Sequence, residues 1–193
     1  MAVVELAEVI AAPYTCWVAT PGTVFPKITE EEGSFPTGWT KVGTSGTFNY
    51  SEAGVTVTHT QTQGQFISAG GVIARKVWRQ DEGMKVAFDL VDLSPKQYGM
   101  IMDNAAVTEV TGAEARAEIP LKRGISVKAW AMVLRGKSTL NEAHNGQYNI
   151  NCAVQAGNPA PKFALKGGPA MLALDFDVLE LEPGQLATFI AAK

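Results

Sequence analysis

Hydrophobic and polar residues alternate with a period of two over much of this chain, and that period predicts a mainly β protein. From Met84 to Leu93, Met84, Val86, Phe88 and Leu90 share one face, while Lys85, Ala87 and Asp89 share the other. Such alternation marks a half-buried strand. Tyr148, Ile150, Cys152 and Val154 alternate in the same way with Gln147, Asn149, Asn151 and Ala153. Two further runs, Ser126 to Leu134 and Ala170 to Leu181, are apolar on both faces. They are expected at the centre of a sheet, or beneath a helix or a neighbouring subunit. In the second run Asp175 and Asp177 share the face opposite Leu172, Leu174 and Phe176.

One helix is signalled, over residues 94–105. Ser94 is placed to cap it, Pro95 suits the first helical position, and Gln97 completes a capping box. Tyr98, Ile101, Met102 and Ala105 then form one apolar face, which needs a sheet to pack on. Residues 21–38 hold three prolines, three glycines and the run Glu30-Glu31-Glu32, and are expected to form a surface loop. About twenty residues precede that loop, too few for a domain, so the whole chain, 1–193, is expected to be one domain.

Residues 54–63 (GVTVTHTQTQ) have high β propensity and little that can enter a core. Thr56, Thr58, Thr60 and Thr62 line one face; Val55, Val57, His59, Gln61 and Gln63 line the other. With the glycine-rich stretch from Gln65 to Gly71 and the returning segment Val72 to Arg79, the run predicts a long hairpin over 54–79. Its exposed edges suit pairing with another chain. Periodicity alone fits equally well an ordinary outer strand of a β-sandwich, solvated on one face.

Composition narrows the classes of function. Hydrophobic residues make up 46% and charged residues 18%, a balance that argues against disorder. Sixteen basic and nineteen acidic residues give a formal charge of -3, with no basic stripe for gripping DNA. No apolar run reaches the about eighteen residues of a membrane span, and the first ten residues carry Glu5 and Glu8 but no basic residue, unlike a secretory signal. A protein made in the cytoplasm, with no membrane partner, is expected.

No constellation for catalysis, a cofactor or a metal stands out. Cys16 and Cys152 have no metal or redox spacing and are expected as buried small hydrophobes. Gly136-Lys137-Ser138 is similar to the end of a phosphate-binding loop, but Ala131 stands where its leading glycine belongs, and an exposed turn is expected there. His59 and His144, the only histidines, are expected on the hairpin and in a loop. Asp89 and Asp92 would point to opposite faces of one strand, which does not suit paired acid–base work. Asn49-Tyr50-Ser51 is formally a glycosylation sequon, without consequence for an unsecreted protein.

The order of segments resembles the major tail tube proteins of long-tailed bacteriophages. The residues that carry the likeness are Ala12-Pro13 ending an apolar arm (1–15), Trp39 to Gly43, Gly43 to Gly46 leading to Asn49 to Glu52, and Gly54 to His59. Arg79 to Met84, the strand to Leu93 and the capped helix follow, and Ala153 to Pro159 with the final long strand match more loosely. At the hairpin tip the chain departs from the pattern, with Gln61 to Gln65 replacing a more acidic stretch.

The resemblance implies a β-sandwich or barrel flanked by one helix, with a protruding hairpin and an N-terminal arm. It implies hexameric rings stacked into a tube for genome ejection, an architecture shared with contractile tails and type VI secretion tubes. A non-enzymatic virion tail protein would follow, assembled in a bacterial cytoplasm, with tape measure, terminator and distal tail proteins as partners and double-stranded DNA in transit. On this reading Val57, His59, Gln61, Gln63, Phe66, Ile67, Arg75 and Trp78 make contacts between rings, and Asp89, Asp175 and Asp177 face the lumen. The alternatives are a receptor- or carbohydrate-binding β-sandwich, a capsid-decorating or needle protein, and another ring-forming virion or secretion tube protein.

Overall fold

Alternating strands with one apolar face must close around a core, and here a single antiparallel sheet does so by rolling up. The computed structural model describes residues 10–43, 46–103, 106–112, 114–138, 143–163, 168–181 and 185–191. In chain order the strands are β1 (Ile10–Ala19), β2 (Thr40–Lys41), β3 (Tyr50–Phe66) and β4 (Lys76–Leu90). Helix α1 (Pro95–Ile101) and the small hairpin β5 (Thr108–Val110) and β6 (Arg116–Glu118) follow. Then come β7 (Ala129–Ser138), β8 (Asn145–Gln155), β9 (Leu172–Val178) and β10 (Ala187–Ile190). The main sheet runs β2-β1-β7-β8-β9-β4-β3, and β10 also pairs with β8. The fold is mainly β with one helix, consistent with a β-sandwich.

The core faces of β4 and β9 are those the alternation gives: Met84, Val86, Phe88 and Leu90 against Leu172, Leu174, Phe176 and Val178. In β8 the alternation breaks. Met132 of β7 faces Ile150, but Trp130 faces Ala153, so one extra residue of β8 bulges out. Ile150 and Ala153 therefore share the core, and Cys152 and Val154 are turned to the other face, which corrects the expected grouping. Both cysteines are buried and unbridged.

The sheet closes where its ends meet. Cys16 N–H of β1 donates to Tyr50 Oη at 3.0 Å, and the Tyr50 hydroxyl donates to Val42 O, also at 3.0 Å. The Tyr50 ring lies 5.5 Å from that of Phe88, which stacks on Phe176. Burial raises the pKa of the Tyr50 phenol, as it does that of the Cys16 thiol, and Tyr14, half-buried beside Tyr148, is pushed up to about 12.

β7 and β9 lie inside the sheet, as their two apolar faces require, and the second apolar face of β7 is covered by a loop of the same chain. Residues 21–38 lie across it, pinned by a buried polar row. Arg135 donates to Glu30 O at 2.6 Å and to Lys27 O at 2.5 Å, and Gln147 donates to Pro26 O at 2.9 Å. Arg135 also donates to Gln147 Oε1 and sits over the Phe35 ring, which packs 4.6 Å from Trp17. Burial lowers the guanidinium pKa, and the Glu30-Glu31-Glu32 run opposes that shift.

Helix α1 is shorter than 94–105, and Ala105 and residues 1–9 lie outside the described residues. Met100 and Ile101 enter the core, with Tyr98 and Met102 at its margin. The expected capping box is not formed. Ser94 makes no side-chain cap, and its Oγ is shut off from solvent without a partner. Asp92 instead accepts from Ser94 N–H at 2.9 Å, which turns the chain into the helix and places Asp92 beyond the strand that carries Asp89. Gly136-Lys137-Ser138 is not an exposed turn either. It ends β7, with Gly136 paired to Gly146 and Ser138 buried.

Two outcomes are expected. Ser94→Ala removes a buried unpaired hydroxyl and should leave the melting temperature unchanged or raised, whereas Asp92→Ala should cost about 0.5–2 kcal/mol in urea unfolding. Tyr50→Phe orphans two buried backbone groups and should cost about 2–4 kcal/mol. Because Cys16, Tyr50 and Tyr14 hold their protons in the folded state above their unfolded values, near 8.5 for the thiol and 10 for the phenols, stability should be complete below about pH 8.5. It should fall as pH rises toward about 12, and less steeply in Tyr50→Phe, as alkaline unfolding curves would record.

Candidate functional site

β3 and β4 pair far beyond the body of the sheet. β9 pairs with β4 only from Met84 to Leu90, while the β3–β4 ladder continues from His59↔Met84 to Phe66↔Lys76. At about 3.3 Å per residue the free ribbon is about 23 Å long. β3 is the edge of the main sheet, so its outer backbone groups have no strand partner among the described residues.

The expected hairpin over 54–79 thus exists, with different ends. Gln65 and Phe66 belong to β3, and the tip spans residues 67–75, so Val72 to Arg75 lie in the turn rather than in the returning strand. The tip is held by Gly71 N–H to Ser68 O and by Arg75 N–H to Phe66 O, both 2.8 Å. Phe66, Ile67, Val72 and Ile73 are exposed, Val72 almost wholly so.

A bulge at Gln80 separates the eight residues assigned to assembly. Thr62 pairs with Asp81 but Gln63 pairs with Arg79, so beyond that point β4 presents the opposite parity. Trp78 consequently sits across from Gly64, on the threonine side, rather than with Met84. Its indole lies against Gly64 so closely that a Cβ there would be 2.5 Å from Trp78 Cε2. His59, Gln61 and Gln63 lie on the other face of β3; Gln61 accepts from Arg79, and Arg79 pairs with Glu82 at 2.8 Å. Val57 is half-buried against the core rather than free on the ribbon.

The three aspartates come together. Lys85 faces Asp177, Ala87 faces Asp175 and Asp89 faces Ala173 across β4 and β9, on the side away from the core. Thr56, Thr58, Thr60 and Thr62 continue this face onto β3, and Asp81 lies opposite Thr62. Between the bulge and the body, four aspartates and one lysine therefore stand on a sheet face otherwise rich in threonine. Lys85 and Asp177 pair at 3.1 Å while largely exposed, a contact worth little in water. Gly157 presses on Asp175, where a Cβ would come within 2.6 Å of Oδ2.

Sequence reasoning did not find the groove at the base of the ribbon. β8 divides one edge between two strands, with β10 along Gln147–Ile150 and β9 along Ala153–Gln155. β9 leaves the sheet after Val178, and the gap between β10 and β4 is a cavity of about 510 Å³. Met84, Tyr148, Leu186 and Phe189 make its apolar wall, and Glu82, Glu180 and His59 its polar lining. The signal for it was the break between the strand ending at Val178 and the apolar residues from Leu186.

Among the described residues, no group of three or more His, Cys, Asp or Glu side chains is placed to hold a metal ion, and no helix is long and apolar enough to cross a membrane. His144 is half-buried ahead of β8. The chain matches no protein-family model and no curated protein.

Proposed function

We propose that this chain is a structural subunit that polymerises into a hollow tube of the kind built by tail tube proteins of long-tailed bacteriophages. The β3–β4 ribbon carries the reading: it extends beyond the body, has an edge with no strand partner among the described residues and ends in exposed apolar residues. A monomer gains nothing from such a feature and risks aggregation, whereas a polymer uses it to join subunits. The subunits form rings, six-fold on the resemblance, which stack through the ribbons and make contact with tape measure, terminator and distal tail proteins. The role is non-enzymatic, in a virion tail assembled in a bacterial cytoplasm.

The face bearing Asp89, Asp175 and Asp177 lines the bore. Repeated around a ring, these carboxylates repel phosphate, so duplex DNA slides past instead of releasing counterions and sticking. Screening over about 8 Å at physiological salt limits the repulsion among subunits.

A receptor- or carbohydrate-binding β-sandwich is the second reading, favoured by the groove that sets His59 and Glu82 beside Tyr148 and Phe189. Against it, Trp17 and Trp130 are buried and Trp39 is half-buried, donating to Val24 O, which leaves Trp78 alone exposed on the ribbon and no tryptophan platform along one sheet face.

Electron microscopy of the purified chain should show tubes of uniform bore. Replacing residues 63–80 by Asn-Gly, a turn suited to a two-residue hairpin, should leave a folded protein that forms none; tubes of normal length would exclude the ribbon as the connector. Asp89→Lys/Asp177→Lys should still fold, and its tubes should retain duplex DNA in co-sedimentation, with retention falling as salt rises. Equal release by both tubes at every salt concentration would remove these aspartates from the bore.

A further inference from the structure

We infer that the groove between β4 and β10 is the socket for the ribbon tip of a second copy of this chain. The inference rests on the polymer reading above and names the partner surface of the ribbon. Residues 63–80 contain Arg75, Lys76 and Arg79 and no acidic residue, and they end in the exposed pair Val72-Ile73. The tip is therefore apolar and cationic. The groove has the matching chemistry: Leu186, Met84 and Phe189 form an apolar wall, while Glu82 and Glu180 supply carboxylates with no Lys or Arg among the described lining residues. Glu82 is held by Arg79 of its own ribbon, but that pair is exposed on both sides, and exchanging it for Arg75 or Lys76 of another copy changes little in energy.

The other apolar groove fits the tip less well. It lies between the start of α1 and the segments around Leu121 and Phe163, and has a volume of about 340 Å³. Exposed Lys96, Lys122 and Lys162 stand next in sequence to its lining residues and Arg123 one residue further on, with no carboxylate among the described lining residues, so a cationic tip would meet like charge.

A tip cannot enter its own groove, because the paired ribbon holds it about 23 Å away, seven residues along β3 from His59. The contact is therefore head-to-tail, with a different surface on each partner, and can propagate without being limited to dimers. Two strand edges flank the socket, β4 between Lys76 and Gly83 and the outer side of β10, and neither has a further strand partner among the described residues. An entering extended segment can add backbone hydrogen bonds to the apolar contact.

Charge reversal tests the pairing. Arg75→Glu/Lys76→Glu and Glu82→Lys/Glu180→Lys should each weaken self-association about tenfold or more in sedimentation velocity, roughly 1.4 kcal/mol, with unchanged circular dichroism. Mixing the two variants should restore association, since the acidic tip then meets the basic socket and the basic tip meets the acidic one. No recovery on mixing would overturn the inference.

Cysteine pairs give an independent readout, because Cys16 and Cys152 are buried. A mixture of Ile73→Cys and Leu186→Cys chains should link into disulfide dimers under mild oxidation, and one of Ile73→Cys and Leu121→Cys chains should not. A link to position 121 instead, or a link from Val4→Cys to position 186, would give the socket another occupant and overturn the inference. A chain that shows no self-association by sedimentation would do the same. Tubes without the 73–186 link would reject the socket while keeping the polymer reading; the link with no tube of regular bore would reject the tube and keep the socket.

Discussion

A rolled sheet has two ends, and this fold depends on how they are joined. The Tyr50 hydroxyl sits between β1 and the Val42 carbonyl, accepting a hydrogen bond from the Cys16 N–H and donating one to the Val42 carbonyl. Both groups are fully buried, where an unpaired N–H or C=O is costly, so the joint behaves as one unit. Because Tyr50 also begins β3, the joint fixes where that strand leaves the body. From this anchored origin β3 and β4 run out as a ribbon whose direction is set by the sheet, not by the tip.

The same sheet is treated differently on its two flanks. Along β1 and β7 the face away from the core is closed by residues 21–38, and the carbonyls of that loop are satisfied by Arg135, Gln147 and Asn145. A glycine- and proline-rich segment cannot pair as a strand, so side-chain donors from the sheet supply the hydrogen bonds it needs. Along β4, β9 and β3 the outward face is left open and carries threonine and aspartate. The covered flank holds the fold together, and the open one is a polar surface whose chemistry is free to serve something outside the chain.

Much of this was legible in the sequence where one period ran without interruption. Leu172 to Val178 and Met84 to Leu90 alternate strictly, and their core faces follow from parity. The failures cluster at single inserted residues. An extra residue near Asn151 turns Cys152 and Val154 to the face away from the core cluster, and another at Gln80 places Trp78 beside Gly64, because one residue is enough to exchange the faces of everything beyond it. The capping motif at Ser94 was chemically sound, yet Asp92 reached the same turn first. Nor could spacing reveal the cover over β7 or the groove beside β10. Both arise from contacts between segments about a hundred residues apart, and local patterns carry no record of which loop lies on which strand.

Exposed apolar residues on this chain are not scattered evenly, and their placement sets the order in which forces act. Val72 and Ile73 sit at the end of the ribbon, and Met84, Leu186 and Phe189 wall the groove at its base. Apolar contact is non-directional and short-ranged, so alone it would let tips stick to any greasy surface. In the proposed contact the charges discriminate: a tip without a carboxylate meets Glu82 and Glu180 in one groove and like charge at the lysine-flanked groove near α1. Such steering weakens with salt, whereas the apolar contact it leads to does not. If the ribbon tip docks as proposed, association should therefore slow in salt more than it loosens, because charge guides the encounter while apolar contact holds the complex.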